Sequence, residues 1–195
     1  MKERFKKILD LIPDCDVFAD IGCDHGYVTL AMLKTGKCKK AIISDISSQC
    51  LAKAIDLLKD YINSGSVTHY VTNGFNGLPL ADAALIAGMG GEEIISILNS
   101  EKTLPKTLVL QPMKNADKVR KNLVILGYRL ERDFTFMAGS KFYDIILAKV
   151  GNDELTEDEI LFGRDNLKDK GQAFIKKIKI KLRNKGIYQK KVVTL

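Results

Sequence analysis

The chain has 195 residues, of which 46% are hydrophobic and 28% charged, and a formal net charge of +7. That length can bury one good core and carry a small appendage. The composition suits a globular protein, no apolar run is long enough to cross a membrane, and residues 1–5 do not open a signal peptide.

Phe5, Ile8, Leu9 and Ile12 recur at helical spacing, which predicts an amphipathic helix over residues 3–12, ended by Pro13. Residues 16–21 are short, apolar and rich in β-formers, so a buried strand is expected there. A helix starts at Tyr27 and runs to about Thr35, where Gly36 stops it. Between strand and helix lies the turn Gly22-Cys23-Asp24-His25-Gly26. A strand that turns through glycines into a helix can press backbone N–H groups against an anionic or polar ligand. Gly22 permits the tight turn, and Gly26 lets the helix approach the strand closely. The spacing does not fit the dinucleotide fingerprint G-x-G-x-x-G, because only these two glycines are present.

Residues 41–45 predict a second strand ending in Asp45, about 20 residues after the first turn, the spacing at which a carboxylate meets the two hydroxyls of a ribose. A helix over residues 47–62 turns Leu51, Ala54, Ile55 and Leu58 inward, with Ser47 or Ser48 as its cap. Residues 67–72 alternate as a third strand, with His69 outward and given no chemistry. Asn73-Gly74 follows at its carboxyl end, either as an amide that reads an adenine edge or as an ordinary turn. A fourth strand over 82–87 leads into Gly88-Met89-Gly90-Gly91 and a helix over 92–98. A loop so poor in side chains lets a flat ring approach the backbone.

A fifth strand over 107–112 ends in Gln111-Pro112, and Asn115 caps a helix that Gly127 closes. Residues 128–137 and 141–150 form a hairpin about 138–140. Residues 151–154 mark a boundary between a domain over 1–150 and a helical extension over 151–195. Thr156 and Glu159 open the extension with a capping box, and a second helix runs from about Gln172 to Lys185. Residues 1–150 hold 20 basic and 17 acidic side chains, whereas from Lys170 onward there are nine basic and none acidic. A basic tail on a near-neutral domain fits a polyanion partner or a solvated helix face. Cys15, Cys23, Cys38 and Cys50 form no C-x-x-C pair and, with only His25 and His69, show no metal-ligand spacing. Free thiols in a reducing cytoplasm are expected.

Five strand–helix units followed by an antiparallel hairpin resemble the Rossmann-like α/β sheet of class I methyltransferases, with parallel strands and one antiparallel strand. The pattern D-x-G-x-D-x-G from Asp20 to Gly26 is similar to the first motif of S-adenosylmethionine (SAM) methyltransferases, with Asp24 where most carry glycine. Aspartate tolerates the left-handed backbone such a turn needs. Together with residues 86–91 and 108–112, this stretch resembles the bacterial tRNA (adenine-22)-N1-methyltransferase family over roughly residues 1–150.

The resemblance implies a SAM-binding domain, a coiled-coil-like C-terminal part, and methylation of N1 of one adenine in the D-arm region of tRNA. It implies that Asp20, Ile21, Gly22 and Gly26 line the methionine end of SAM, and that Asp45 and Ile46 meet the ribose. Asn73 and Gly74 would face the adenine, while Ala87, Gly88 and Met89 close over the sulfonium. Asp24, His25, Tyr27, Gln111 and Pro112 would sit toward the incoming base. A monomer that needs neither metal nor membrane is expected. The family usually carries Asp where Asn73 stands, Asn where Met113 stands, and a longer C-terminal part. A SAM enzyme acting on a small molecule and a catalytically lapsed RNA-binding homologue are the competing readings.

Overall fold

The computed structural model describes residues 3–184. Its elements are α1 (Glu3–Leu11), β1 (Cys15–Ile21), α2 (Tyr27–Lys34), β2 (Cys38–Asp45), α3 (Ser48–Leu57), α4 (Lys59–Asn63) and β3 (Val67–Val71). Then follow β4 (Ala83–Met89), α5 (Gly91–Asn99), β5 (Thr107–Pro112), α6 (Ala116–Ile125), β6 (Tyr128–Ala138) and β7 (Lys141–Val150). The helices α7 (Glu157–Phe162), α8 (Arg164–Asp169) and α9 (Gln172–Asn184) complete the described chain.

The strands form one seven-stranded sheet in the order β3-β2-β1-β4-β5-β7-β6. β1 to β5 are parallel, and β7 enters antiparallel between β5 and β6. The expected α/β sheet with a reversed strand is therefore the observed one. Strand alternation assigns the two faces. Phe18, Ile43, Leu85, Val109 and Ile145 pack with Ile8 of α1, Met32 of α2 and Leu51 of α3. Ala19, Ile42, Ile86, Leu108 and Ile146 pack on the other face with Ile94 of α5 and Leu123 of α6. The same alternation turns Asp20 toward the face of α1 and α2, where it bonds Thr29 of α2.

Four local expectations are corrected. The helix expected over 47–62 breaks at Leu58, where φ is −103° and ψ is 13°. The change of direction keeps Tyr61 and Ile62 against the core beside buried Leu58. The fourth strand runs on through Gly88 and Met89, with a bulge between Ala87 and Met89 opposite Gln111 and Pro112. Gly88 adopts φ +85° in this bulge, a conformation costly for any side chain. Asn115 stands at the start of α6 in a left-handed conformation, but its side chain reaches Glu92 instead of capping the helix. The short helix α8, between the two helices expected in the extension, went unpredicted; it begins at Gly163, whose φ of +89° turns the chain sharply after α7.

The capping box is as predicted: the Glu159 backbone N–H donates to the Thr156 hydroxyl, and the Thr156 backbone N–H donates to the Glu159 carboxylate. α7 packs on α6, while α8 and α9 pack on β6. Phe174 of α9 is buried edge-on against Phe162 of α7.

Candidate active site

A cavity of about 1070 Å³ opens over the carboxyl ends of β1, β2 and β4. In an open α/β sheet this edge, where the strand order reverses between β1 and β4, is where ligands bind. Its walls include Asp20, Ile21, Gly22, Asp24, His25 and Tyr27 from the first turn, and Asp45 and Ile46 from the second. Asn73, Gly74, Ala87, Gly88 and Met89 supply the rest of the expected set. Three predicted residues lie outside these walls. Gly26 is buried against α3, where an added Cβ would stand 3.1 Å from both Ala54 Cβ and Leu58 Cδ1. It acts as a close-packing position. Gln111 and Pro112 are buried in β5 opposite Ala87 and Met89, and among the described residues Gln111 donates only to the Met113 sulfur, at 3.5 Å.

The first turn is held by its backbone. The Gly22 and Cys23 N–H groups donate to the Ser44 carbonyl, and Gly26 N–H donates to the Cys23 carbonyl. Gly22, Asp24 and Gly26 all have positive φ, at 70°, 44° and 68°. The bare Cα of Gly22 lies under the Met89 side chain: a Cβ there would stand 2.0 Å from Met89 Cε. This cradle of glycine and a flexible thioether fits a ligand that presses against the strand end.

Four carboxylates face the cavity: Asp20, Asp24, Asp45 and Glu93. Asp20 is buried and accepts from the Thr29 hydroxyl at 2.7 Å. Burial pushes its carboxyl up to about 6, against the opposing effect of the Thr29 hydrogen bonds. Asp45 accepts the Ser47 N–H on Oδ1 at 2.8 Å and a long contact from Asp24 N–H, 3.4 Å, on Oδ2. Ser47 itself caps α3, so Asp45 helps fix the helix start while lining the cavity. Slight burial works to raise the Asp24 carboxyl, but His25 and Lys53 outweigh it and hold the group below the usual carboxylate range. Burial, with Asp20 and Asp45 nearby, drives the Cys23 thiol far above its ordinary range, so it is no nucleophile.

At the mouth, His25 Nδ1 lies 2.6 Å from Asp24 Oδ2, leaving Nε2 as the nitrogen able to take a proton. The His25 ring stacks on Tyr27 at 5.5 Å with planes 9° apart, and Phe5 meets Tyr27 at 6.1 Å. Tyr27 is 47% exposed, so this aromatic ledge is open to a flat ligand.

The glycines at the end of β4 and the start of α5 divide by role. Gly88 lies in the cavity wall, whereas Gly91 packs on the loop before α6, where a Cβ would stand 2.6 Å from the Asn115 carbonyl oxygen. Sequence reasoning assigned all of them to ligand approach, but Gly91 is required by backbone crowding. It also missed Thr29 and Arg4. Thr29 left one signal, a hydroxyl within the apolar stretch 28–33; Arg4, between Glu3 and Phe5 in an amphipathic helix, left none.

A sheet in this order, with its reversed strand and a carboxylate-lined cavity at the β1–β4 switch point, defines a Rossmann-like methyltransferase. Residues 1–146 match the family model described as a methyltransferase domain. The tRNA (adenine(22)-N(1))-methyltransferase of Bacillus subtilis is 30% identical over 191 residues, 91% of this chain and 79% of that one. The crystal structure of the B. subtilis m1A22 tRNA methyltransferase TrmK superposes with a TM-score of 0.87 at 27% identity, over 94% of this chain and 83% of that one. M. capricolum TrmK, solved with the cofactor product S-adenosylhomocysteine, shares the fold with a TM-score of 0.86 at 22% identity, over 94% and 84%. The chain belongs to the tRNA (adenine-22)-N1-methyltransferase family.

Proposed function

We propose that the protein methylates N1 of an adenine in tRNA, position 22 of the D-arm region, using SAM. The observation that carries this reading is the pairing of a carboxylate-lined, glycine-floored cavity with the Asp24–His25–Tyr27 ledge at its mouth. When bound, SAM supplies an electrophilic methyl group on its sulfonium sulfur. Asp20 and Glu93 offer negative charge to its cationic parts, Asp45 an oxygen to the ribose hydroxyls, and Asn73 an amide to the adenine edge. Ala87, Gly88 and Met89 shape the wall beside Gly22.

Neutral adenine already presents a lone pair at N1, so no base is needed before transfer, and the protein's task is alignment. N1 lies on the pairing edge, so the target base must leave its stack. Tyr27 offers a face to receive it. Positive charge then develops on the base, which ionised Asp24 stabilises, and His25 Nε2 takes the surplus proton from N6. Gln111 and Pro112 support the wall from within the sheet. The protein acts as a monomer without a metal, in a reducing cytoplasm. No helix among the described residues is long and apolar enough to cross a membrane.

The extension over 151–195 supplies the groups that meet RNA phosphates. Lys176 and Lys179 of α9 are exposed, whereas Lys177 is held by Asp144 at 2.5 Å. Lys185, Lys190 and Lys191, also expected to face RNA, lie outside the described residues. Replacing Lys176 and Lys179 together by glutamate should raise the KM for tRNA several-fold with kcat little changed. The slope of log Kd against log salt should flatten by about 1 for each phosphate that the variant no longer neutralises. An unchanged slope would remove α9 from the RNA interface.

The deciding assay combines radiolabelled SAM with unmodified tRNA at low salt and locates the label. Label is expected in 1-methyladenine at position 22, with Asp24→Ala lowering kcat by about 100-fold or more. SAM binding without any label in tRNA would overturn the reading in favour of a small-molecule substrate.

A further inference from the structure

Gln111 stands near the carboxyl end of β5 as a wholly buried amide, and the function proposed so far uses it only as support. Its Oε1 is buried and has no hydrogen-bond partner among the described residues. Its Nε2 donates, among the same residues, only to the Met113 sulfur at 3.5 Å, and a thioether is a weak acceptor. Both ends of this amide are thus poorly satisfied, at a cost in stability. Gln111 lies opposite Ala87 in the parallel pair of β5 and β4, so both side chains leave the same face of the sheet. Ala87 lines the cavity. Met113, which touches the amide, is 50% exposed, and its N–H donates at 2.8 Å to the carbonyl of Met89 in the cavity wall. A flexible thioether beside the wall therefore covers the amide and can turn aside.

An unmet acceptor beside a weakly met donor matches one edge of adenine. There the N6 amino donor lies next to the N7 acceptor, and a glutamine amide meets both at once. Guanine presents two acceptors on the same edge, O6 and N7, and would leave Oε1 facing an oxygen. N1 is not part of this edge, so a base gripped by N6 and N7 keeps its N1 lone pair for the methyl group. We infer that Gln111 is the residue that selects the target base, its Oε1 accepting from N6 and its Nε2 donating to N7 of adenine. An amide held by the sheet is ordered before the base arrives, so little freedom is lost on binding. The inference rests on reading the protein as an adenine-N1 methyltransferase and says which edge of the substrate that enzyme grips.

The test uses two tRNAs, one with adenine at the methylated position and one with 7-deazaadenine, in which a C–H replaces N7. The ratio of kcat/KM for the two is measured with the unaltered full chain and with Gln111→Met, which keeps the length of the side chain and removes the amide. Relative to the variant, the unaltered protein should favour adenine by at least about tenfold, because 7-deazaadenine strands the Nε2 donor. Comparing ratios cancels the difference in N1 basicity between the two bases. Should the variant fail to fold or to turn over, the ratio for the unaltered protein is set against the N1 reactivities of the two nucleosides toward methyl iodide. The ligand-free variant should melt about 2–4 °C higher, since it loses an unsatisfied buried group. Its SAM affinity, measured by calorimetry, should be unchanged; loss of SAM binding would overturn the inference and put Gln111 in the cofactor site. Equal ratios in the two proteins would also overturn it, and a lowered melting temperature beside them would make Gln111 a packing residue. No methylation of adenine by the unaltered protein would sink the N1-methyltransferase reading and this inference with it, whereas methylation with equal ratios sinks the inference alone.

Discussion

An Asp20→Asn substitution is expected to stabilise the ligand-free protein above pH 6 while weakening its hold on SAM. Burial raises the Asp20 carboxyl from its ordinary 3.8 to about 6 in the folded chain. Between those values the folded state binds more protons than the unfolded state, so stability falls as pH rises through the window and stays lower above pH 6. A displacement of about two pH units corresponds to roughly 3 kcal/mol. The amide keeps a carbonyl acceptor for the Thr29 hydroxyl and removes the charge. Its melting temperature at pH 7.5 should therefore exceed that of the unaltered protein, and the fall in stability between pH 4 and 6 should shrink. The buried charge is retained for its ligand. A cationic ligand beside Asp20 favours the ionised form, so SAM affinity should rise from pH 5 to 7 and level off. The asparagine variant should lose that rise and bind SAM at least about tenfold more weakly at pH 7.5. An amide variant that is less stable at pH 7.5, or that binds SAM normally, would refute the account.

Truncating Arg120 to alanine should cost about 3–5 kcal/mol, because it strands a buried carboxylate. Arg120 donates to Asp133 Oδ2 from Nε at 2.7 Å and to Oδ1 from Nη2 at 3.0 Å, and from Nη1 to the Ile160 carbonyl at 3.1 Å. Both side chains are almost wholly buried, at 2% and 1% exposure. Beside them Asn166 of α8 accepts the Thr135 N–H of β6 at 2.8 Å and donates to the Phe162 carbonyl at 2.7 Å. The network thus pins the α7–α8 elbow onto α6 and β6. For a chain of this size the loss is about 10 °C or more in melting temperature. Replacing Arg120 by methionine together with Asp133 by leucine should recover most of it, since the pair is then removed without leaving a charge behind. Urea unfolding of the three forms checks both statements. A cost below about 1 kcal/mol for the single truncation would show that Asp133 finds other partners.

Much of this protein was legible in its sequence because the information is local. Apolar alternation and helical spacing located the strands and helices, and the positive φ values of Gly22 and Gly26 follow from a strand that must reverse within five residues into a helix. Asp20, Asp24 and Asp45 stood out because they end strands or lie in that turn, and strand ends of an open parallel sheet meet at one edge whatever packs around them. The tertiary structure decided what depends on distant segments. Gly91 reads like a ligand-binding glycine until the loop before α6 is seen pressing on it. Arg120 reads like a surface arginine on an amphipathic helix until β6 and α7 close over it. Arg4 lies 16 residues before Asp20 in a charged helix, and only the docking of α1 on the sheet brings it to the cavity. Backbone periodicity is written in neighbouring residues. The burial and pairing of a charge are set by which remote faces pack against it.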